Sequence, residues 1–236
     1  MPNPALLNNV QHKDLRVITK RGAQYGDNIM FALTFPSEFR NLQAHYPIVF
    51  RKSDDGTSFE AVALFGLQEG ENLFLNDAGW DAAEVPLMVE RQPFLIGRNG
   101  EELMVHVDLD SPRVSSTEGE PVFLPHGGNS EFLDRMNSAL LTIHQGLQAA
   151  GPFMAALKEY ELLESFVLDV TLDDGSQGRM SGFYTIHEDR LAVLPAEALD
   201  RLHKAGYLQA IFMVVSSMSQ FRPLIERKNR VQAAAR

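Results

Sequence analysis

The sequence predicts an α+β fold, an N-terminal antiparallel β meander followed by helices around a second β-hairpin, in one continuous body. Three observations lead to it. Between residues 46 and 110, short apolar runs alternate with Gly, Asn and Asp turn clusters, the pattern of successive hairpins. Beyond residue 130 the apolar spacing changes to three and four, through Phe132, Met136, Ala139, Ile143 and Leu147, which is the period of an amphipathic helix. Residues 111–130 lie between the two regimes and hold three prolines and three glycines. The expected organisation is a β-rich part over 1–110, a connecting loop over 111–130 and a helix/hairpin part over 131–236.

Taken in order, residues 1–14 are polar and rich in Asn and Pro, and read as a loosely held arm. Leu15, Val17 and Ile18 suggest a short strand and residues 29–33 another, with Arg21-Gly22 and Gly26-Asp27 as turns. Pro36-Ser37-Glu38-Phe39 opens one helical turn. Residues 47–51 and 60–67 flank Asp54-Asp55-Gly56 as a hairpin, and 71–75 reads as the next strand. Pro86 and Pro93 cannot donate to a ladder, so residues 85–90 and 94–96 are expected at a sheet edge or bulge. Residues 103–109 place Leu103, Val105, Val107 and Leu109 on one face of a half-buried strand.

In the second half, Ser130 is the expected N-cap of a helix that Gly146 and Gly151 weaken, and Pro152 opens the next. Residues 166–172 and 179–186 form a hairpin about Asp173-Asp174-Gly175. The chain then closes helically. Residues 195–204 end at Gly206, and 208–217 are apolar nearly all round, so Ile211, Phe212, Val214 and Val215 are expected in the core. Residues 221–235 are basic and expected to fray.

Composition narrows the function classes. A net charge of -10 opposes phosphate backbones and anionic headgroups, so nucleic acid is not an expected partner. The absence of cysteine removes disulfides, zinc thiolates, iron–sulfur clusters and a cysteine nucleophile, and fits a cytoplasmic location. The start of the chain lacks the basic-then-apolar order of a signal peptide. The uncharged run at 205–221 falls short of the ~20 apolar residues of a spanning helix, so no membrane span is expected.

The ordered set YPIVFRK, EAVALFGLQEGENLFLN, Gly79-Trp80, Val85-Pro86 and VERQPFLI resembles the SapC family. So do DLDSPR, Glu118-Gly119, the helix at Phe132, Leu162-Leu163-Glu164, Ser181-Gly182-Phe183 and LHKAGYLQAIFMVVSSMSQF. The resemblance covers roughly residues 46–228 and suggests one SapC-like domain overall. It implies an accessory role around bacterial surface-layer protein export or TonB-linked uptake, with a protein or peptide partner. It supplies no catalytic residues and no cofactor, and a homo-oligomer is compatible with it.

Two sets of residues carry the competing functional readings. Trp80, Phe94 and Tyr46, with Arg51 and Arg91 as polar rim, form the expected partner surface, because aromatic and arginine side chains dominate binding hot spots. Core packing is the plainer role for the three rings. His106 and Asp108 are two apart on a strand and face one side, so with a distal His126, His144 or His187 they would make a two-His-one-carboxylate site for non-haem Fe(II). The plainer role for that pair is a solvated strand face. A small-ligand sensor with an aromatic pocket is a third reading. The glycines of 66–79 lack the Lys-Ser/Thr ending of a phosphate loop, and turn chemistry accounts for them. Glu118, Glu120, Asp108 and Asp110 read as a solvated acidic loop, since their spacing does not fit a calcium loop.

Overall fold

Turn chemistry sets the first large hairpin. In a computed structural model, which describes residues 3–100 and 102–234 (Asn99 by its backbone alone), the Asp55 carboxylate accepts from Ser53 Oγ at 2.6 Å and from Thr57 N and Oγ1 at 2.9 and 2.8 Å. These donors hold its pKa down at about 2.

In chain order the elements are β1 (Pro4–Leu6), β2 (Arg16–Val17), β3 (Phe31–Thr34), α1 (Phe39–Leu42), β4 (Ile48–Lys52) and β5 (Phe59–Leu64). There follow β6 (Leu75–Asn76), β7 (Gly79–Trp80), α2 (Leu87–Glu90), β8 (Phe94–Asn99), β9 (Glu102–Asp108), β10 (Val114–Ser115) and β11 (Glu120–Pro121). The second half holds α3 (Glu131–Glu159), β12 (Leu163–Thr171), β13 (Gln177–Ile186), α4 (Glu188–Ala192), α5 (Ala196–Lys204), α6 (Tyr207–Ser217) and α7 (Phe221–Ala234). The fold is α+β with antiparallel sheets.

The chain divides into two compact units, each built from separated stretches of sequence. The first comprises Met1–Asn28, Leu75–Asp81 and Leu87–Gln145. It holds a sheet of order β1-β9-β8, a second of order β10-β2-β11, and the β6-β7 pair. Val17, Phe94, Val107, Val122, Phe132, Leu133, Met136 and Leu140 form its core, with Ile96 and Val105 packed against them. The other unit comprises Ile29–Phe74, Ala82–Pro86 and Gly146–Arg236, and carries a sheet of order β12-β13-β4-β5-β3. Helix α6 is tied to that sheet where Ile48 N donates to Ser217 Oγ at 2.9 Å. Phe153 packs edge-on against Phe39 and Tyr207, at centroid distances of 6.2 and 5.4 Å.

The structure corrects the sequence expectations at six places. The N-terminal arm is a paired strand, because β1 joins the edge of β9 and Asn3 N donates to Asp108 Oδ1 at 2.8 Å. Of residues 71–75 only Leu75 pairs in a ladder; Asn72 Oδ1 accepts from Phe74 N at 3.0 Å and bends the chain instead. Residues 87–90 are helix rather than strand, since Pro86 sits just ahead of the first helical residue, where its fixed φ suits a helix start. Residue 94 does begin an edge strand, β8.

Helix α3 runs through Gly146, Gly151 and Pro152 as one helix of 29 residues, introduced by Ser130, whose Oγ accepts from Leu133 N at 3.2 Å. Phe212 is 54% exposed, while Ile211 and Val214 are buried. Burial at Ala210, Ile211, Val214 and Ser217 follows one helical face, and Phe212 falls off it. Finally, the basic tail is helical to Ala234, and Ala235 of that expectation lies outside the described residues. Phe221 and Leu224 are buried, Lys228 pairs with Glu71, and the Arg227 guanidinium lies 4.3 Å from the Phe74 ring centroid.

Candidate binding cleft

The site grows from one buried carboxylate in the first unit. The short turn at Ala23–Tyr25 is closed by Gly26, whose φ of 86° lies in the left-handed region that glycine enters without penalty. This delivers Asp27 into the interior, where it is fully buried. Its Oδ2 accepts from Gly22 N at 2.9 Å. Its Oδ1 receives Arg113 Nη2 at 2.6 Å and Arg21 Nη1 at 3.4 Å. Arg113 is itself 1% exposed and also donates to Ile18 O and Lys20 O, at 3.0 and 2.9 Å. Burial, and next the nearby Arg113 charge, lower the Arg21 pKa from its ordinary value, with Asp27 working the other way. Buried charges persist when they are paired and hydrogen-bonded, and this cluster meets that condition.

That cluster fixes Tyr25 and Gly26 as one wall of an open cleft of about 540 Å³. The opposite parts come from the α2–β8 junction, at Arg91, Gln92, Pro93 and Leu95, and from the end of β9, at Asp108, Asp110, Ser111 and Pro112. The junction is tightly wound. Arg91 N donates to Leu87 O at 2.9 Å, Phe94 N donates to Arg91 O at 2.8 Å, and the Gln92–Pro93 peptide is cis. Leu95 pairs with His106 in register, so Leu95, His106 and Asp108 share the face opposite the Phe94 and Val107 core face.

Arg91 is the distinctive group. It is partly buried, and its Nη1 donates to Phe94 O at 2.6 Å. Among the described residues it forms no ion pair. Burial lowers its pKa from the ordinary value. A guanidinium has five N–H donors in a planar fork, so most of its hydrogen-bonding capacity remains for a planar anion.

The other residues singled out in the sequence fall differently. Tyr46 and Phe94 are 0% exposed, which corrects their expected place on a partner surface. Tyr46 donates to Glu84 O and packs against Phe65 and Phe74, while Phe94 packs on Phe132. Their large apolar areas are worth more inside than at a wet surface. Trp80 is half-buried on β7, paired in register with Leu75. Arg51 belongs to the other unit; it bridges Asp54 and Glu60 at 3.2 and 3.1 Å and lies over the Phe31 ring.

The His106 ring lies across Gly97, so closely that a Cβ there would stand 2.7 Å from its Cε1. Asp108 Oδ1 accepts from Asn3 N and from Asp110 N, which spends that oxygen on the arm and the following turn. His126 is exposed, and His187 Nδ1 accepts from Arg190 N at the start of α4. Among the described residues no three His, Asp or Glu side chains converge as metal ligands. Sequence reasoning missed Asp27 and the role of Arg113. The one available signal was the arginine of DLDSPR, because burial of a charge leaves no mark in linear spacing.

The SapC family model matches residues 7–224, nearly the whole chain. This chain belongs to the SapC family. No curated protein and no solved structure matches it. The SapC assignment spans the cleft's residues from Tyr25 to Pro112, and among the described residues no helix is long and apolar enough to cross a membrane.

Proposed function

We propose that this SapC protein is an accessory binding protein, without catalytic chemistry of its own, in bacterial surface-protein export or TonB-linked uptake. Its site for a polypeptide partner is the cleft at Arg91. The family membership supports the surface-protein or transport setting. The single observation that carries the binding reading is a partly buried arginine, with no acid paired to it among the described residues, lining an open cleft. A desolvated cation is unfavourable alone, and a partner that brings an acceptor removes that penalty. Pairing of this kind makes arginine a recurrent anchor at interfaces. Trp80, half-buried in the same unit, is the expected second contact.

The test is affinity of the purified chain for exported surface proteins and TonB-dependent receptors of its own source, measured by biolayer interferometry. Arg91→Ala and Trp80→Ala are each expected to weaken the complex by about 2 kcal/mol, roughly thirtyfold, with melting temperatures preserved. Lys158→Ala in the other unit serves as control and should bind like the parent. Undiminished binding by a folded Arg91→Ala chain would place the contact elsewhere.

A further inference from the structure

The cleft has two chemical poles. One is Arg91, whose sole acceptor among the described residues is the neutral Phe94 carbonyl. The other is the acidic end of β9. Asp108 uses Oδ1 for two backbone N–H groups, and among the described residues its Oδ2 has no hydrogen-bond partner. Asp110 is exposed, and its carboxylate forms no hydrogen bond or ion pair among the described residues. Both carboxylates line the same cleft as the arginine, yet neither pairs with it. An isolated phosphate would satisfy Arg91 and be repelled by the two aspartates. A simple amine would satisfy the aspartates and leave Arg91 unpaired. A ligand that carries both charges matches both ends.

We propose that the cleft takes an amphoteric ligand, with a carboxylate set on Arg91 and an ammonium set against Asp108 and Asp110. The arginine fork suits a carboxylate because two parallel N–H donors meet its two oxygens, a geometry that a lysine could not offer. The aspartates supply a point-charge field for the ammonium, which has three donors and needs no planar match. Two sources share this chemistry: a free amino acid, whose α-ammonium or basic side chain supplies the cation, and the C-terminus of a peptide that ends in lysine. The ligand class deepens the binding reading above and rests on it.

Titration calorimetry on the full chain separates the outcomes. The probes are Ala-Ala-Lys with a free carboxylate, the same tripeptide as its C-terminal amide, Ala-Ala-Leu with a free carboxylate, and free lysine. The free-acid lysine peptide should bind, and the amide at least about tenfold more weakly, since a charged hydrogen-bond partner has been lost. Arg91→Gln, which keeps a polar side chain and removes the charged fork, should erase the acid-over-amide difference. Asp110→Asn removes a carboxylate that makes no hydrogen bond or ion pair among the described residues. It should reduce the preference for lysine over leucine at the last position, with Asp108 still in place, and an unchanged preference would overturn the ammonium assignment. Free lysine binding as well as the tripeptide identifies the amino acid as the ligand; a tenfold advantage for the tripeptide identifies the peptide end.

Equal binding of acid and amide by the parent chain would overturn the carboxylate assignment while leaving a polypeptide-binding cleft in place. So would an acid-over-amide difference that survives in Arg91→Gln. If no probe binds at up to about 10 mM, the assignment falls, and the Arg91→Ala complex measurement judges the partner reading independently.

Discussion

At the scale of single residues, the cleft depends on Asp27, which is fully buried and does not line it. Its carboxylate gathers Gly22 N, Arg113 and Arg21 in the interior of the first unit. Among the described residues Arg113 Nε has no hydrogen-bond partner, so within them the cluster is one bond short of full satisfaction. Removing the acid would strand two guanidinium groups, one of them 1% exposed. Asp27→Ala is therefore expected to lower unfolding stability by about 3–5 kcal/mol, as breaking a buried ion pair does. Urea denaturation measures this, and a loss below about 1 kcal/mol would mean that water reaches the cluster and screens it. The contrast with Arg51 is instructive. Its partners Asp54 and Glu60 are 91% and 32% exposed at the side chain, and pairs of that kind add little.

At the scale of elements, α3 separates two roles that glycine can play in a helix. A Cβ on Gly146 would stand 2.2 Å from Cδ2 of Phe35, so this glycine is present to let the ring lie against the helix backbone. Beyond its chain neighbours and its own helix backbone, a Cβ on Gly151 would meet nothing within 4 Å. Gly146→Ala is expected to destabilise by about 1–3 kcal/mol through overpacking, because Phe35 is fully buried and cannot swing clear. Gly151→Ala is expected to change stability by less than about 0.5 kcal/mol, because the helix preference of alanine over glycine is offset by crowding of the new Cβ against the ring of Pro152, the next residue. Thermal unfolding of the two variants side by side checks the pair, and equal losses in both would refute the distinction. Gly151 also lines an apolar groove of about 510 Å³ with Leu33, Ala61, Leu147 and Met154, so apart from Pro152 the added methyl enters open space.

For the molecule as a whole, the net charge of -10 sets the terms of any encounter. It repels anionic surfaces and accelerates approach by a cationic partner through long-range attraction. A basic partner segment, the kind that would bring an ammonium to Asp108 and Asp110, should associate faster at low salt. Raising ionic strength from about 0.05 to 0.5 M is expected to cut the association rate constant roughly tenfold, with a smaller change in dissociation. Stopped-flow kinetics, with the single tryptophan Trp80 as the fluorophore, reads this directly. A rate that does not move with salt would rule out steering by the net charge.

The sequence by itself determined the α+β class, the two long hairpins and the family, because these rest on local alternation, turn residues and an ordered string of matches. It also placed Ser130 as a helix cap and β8 behind Pro93 as an edge strand, both of which follow from short-range rules about N–H groups. Only the tertiary structure decided that Gly146 continues a helix, since the reason lies in Phe35, more than a hundred residues away. It alone decided that Tyr46 and Phe94 are core and that Phe212 is exposed. An aromatic ring's sequence neighbours are the same in either case, and only the packing partner differs. The candidate cleft was half legible. Arg91 and Asp108 stood out from their motifs, whereas Tyr25, Asp27 and Arg113 join them through contacts across 86 residues of chain between Asp27 and Arg113. Charge burial is a property of what surrounds a residue in space, and spacing along the chain does not encode it.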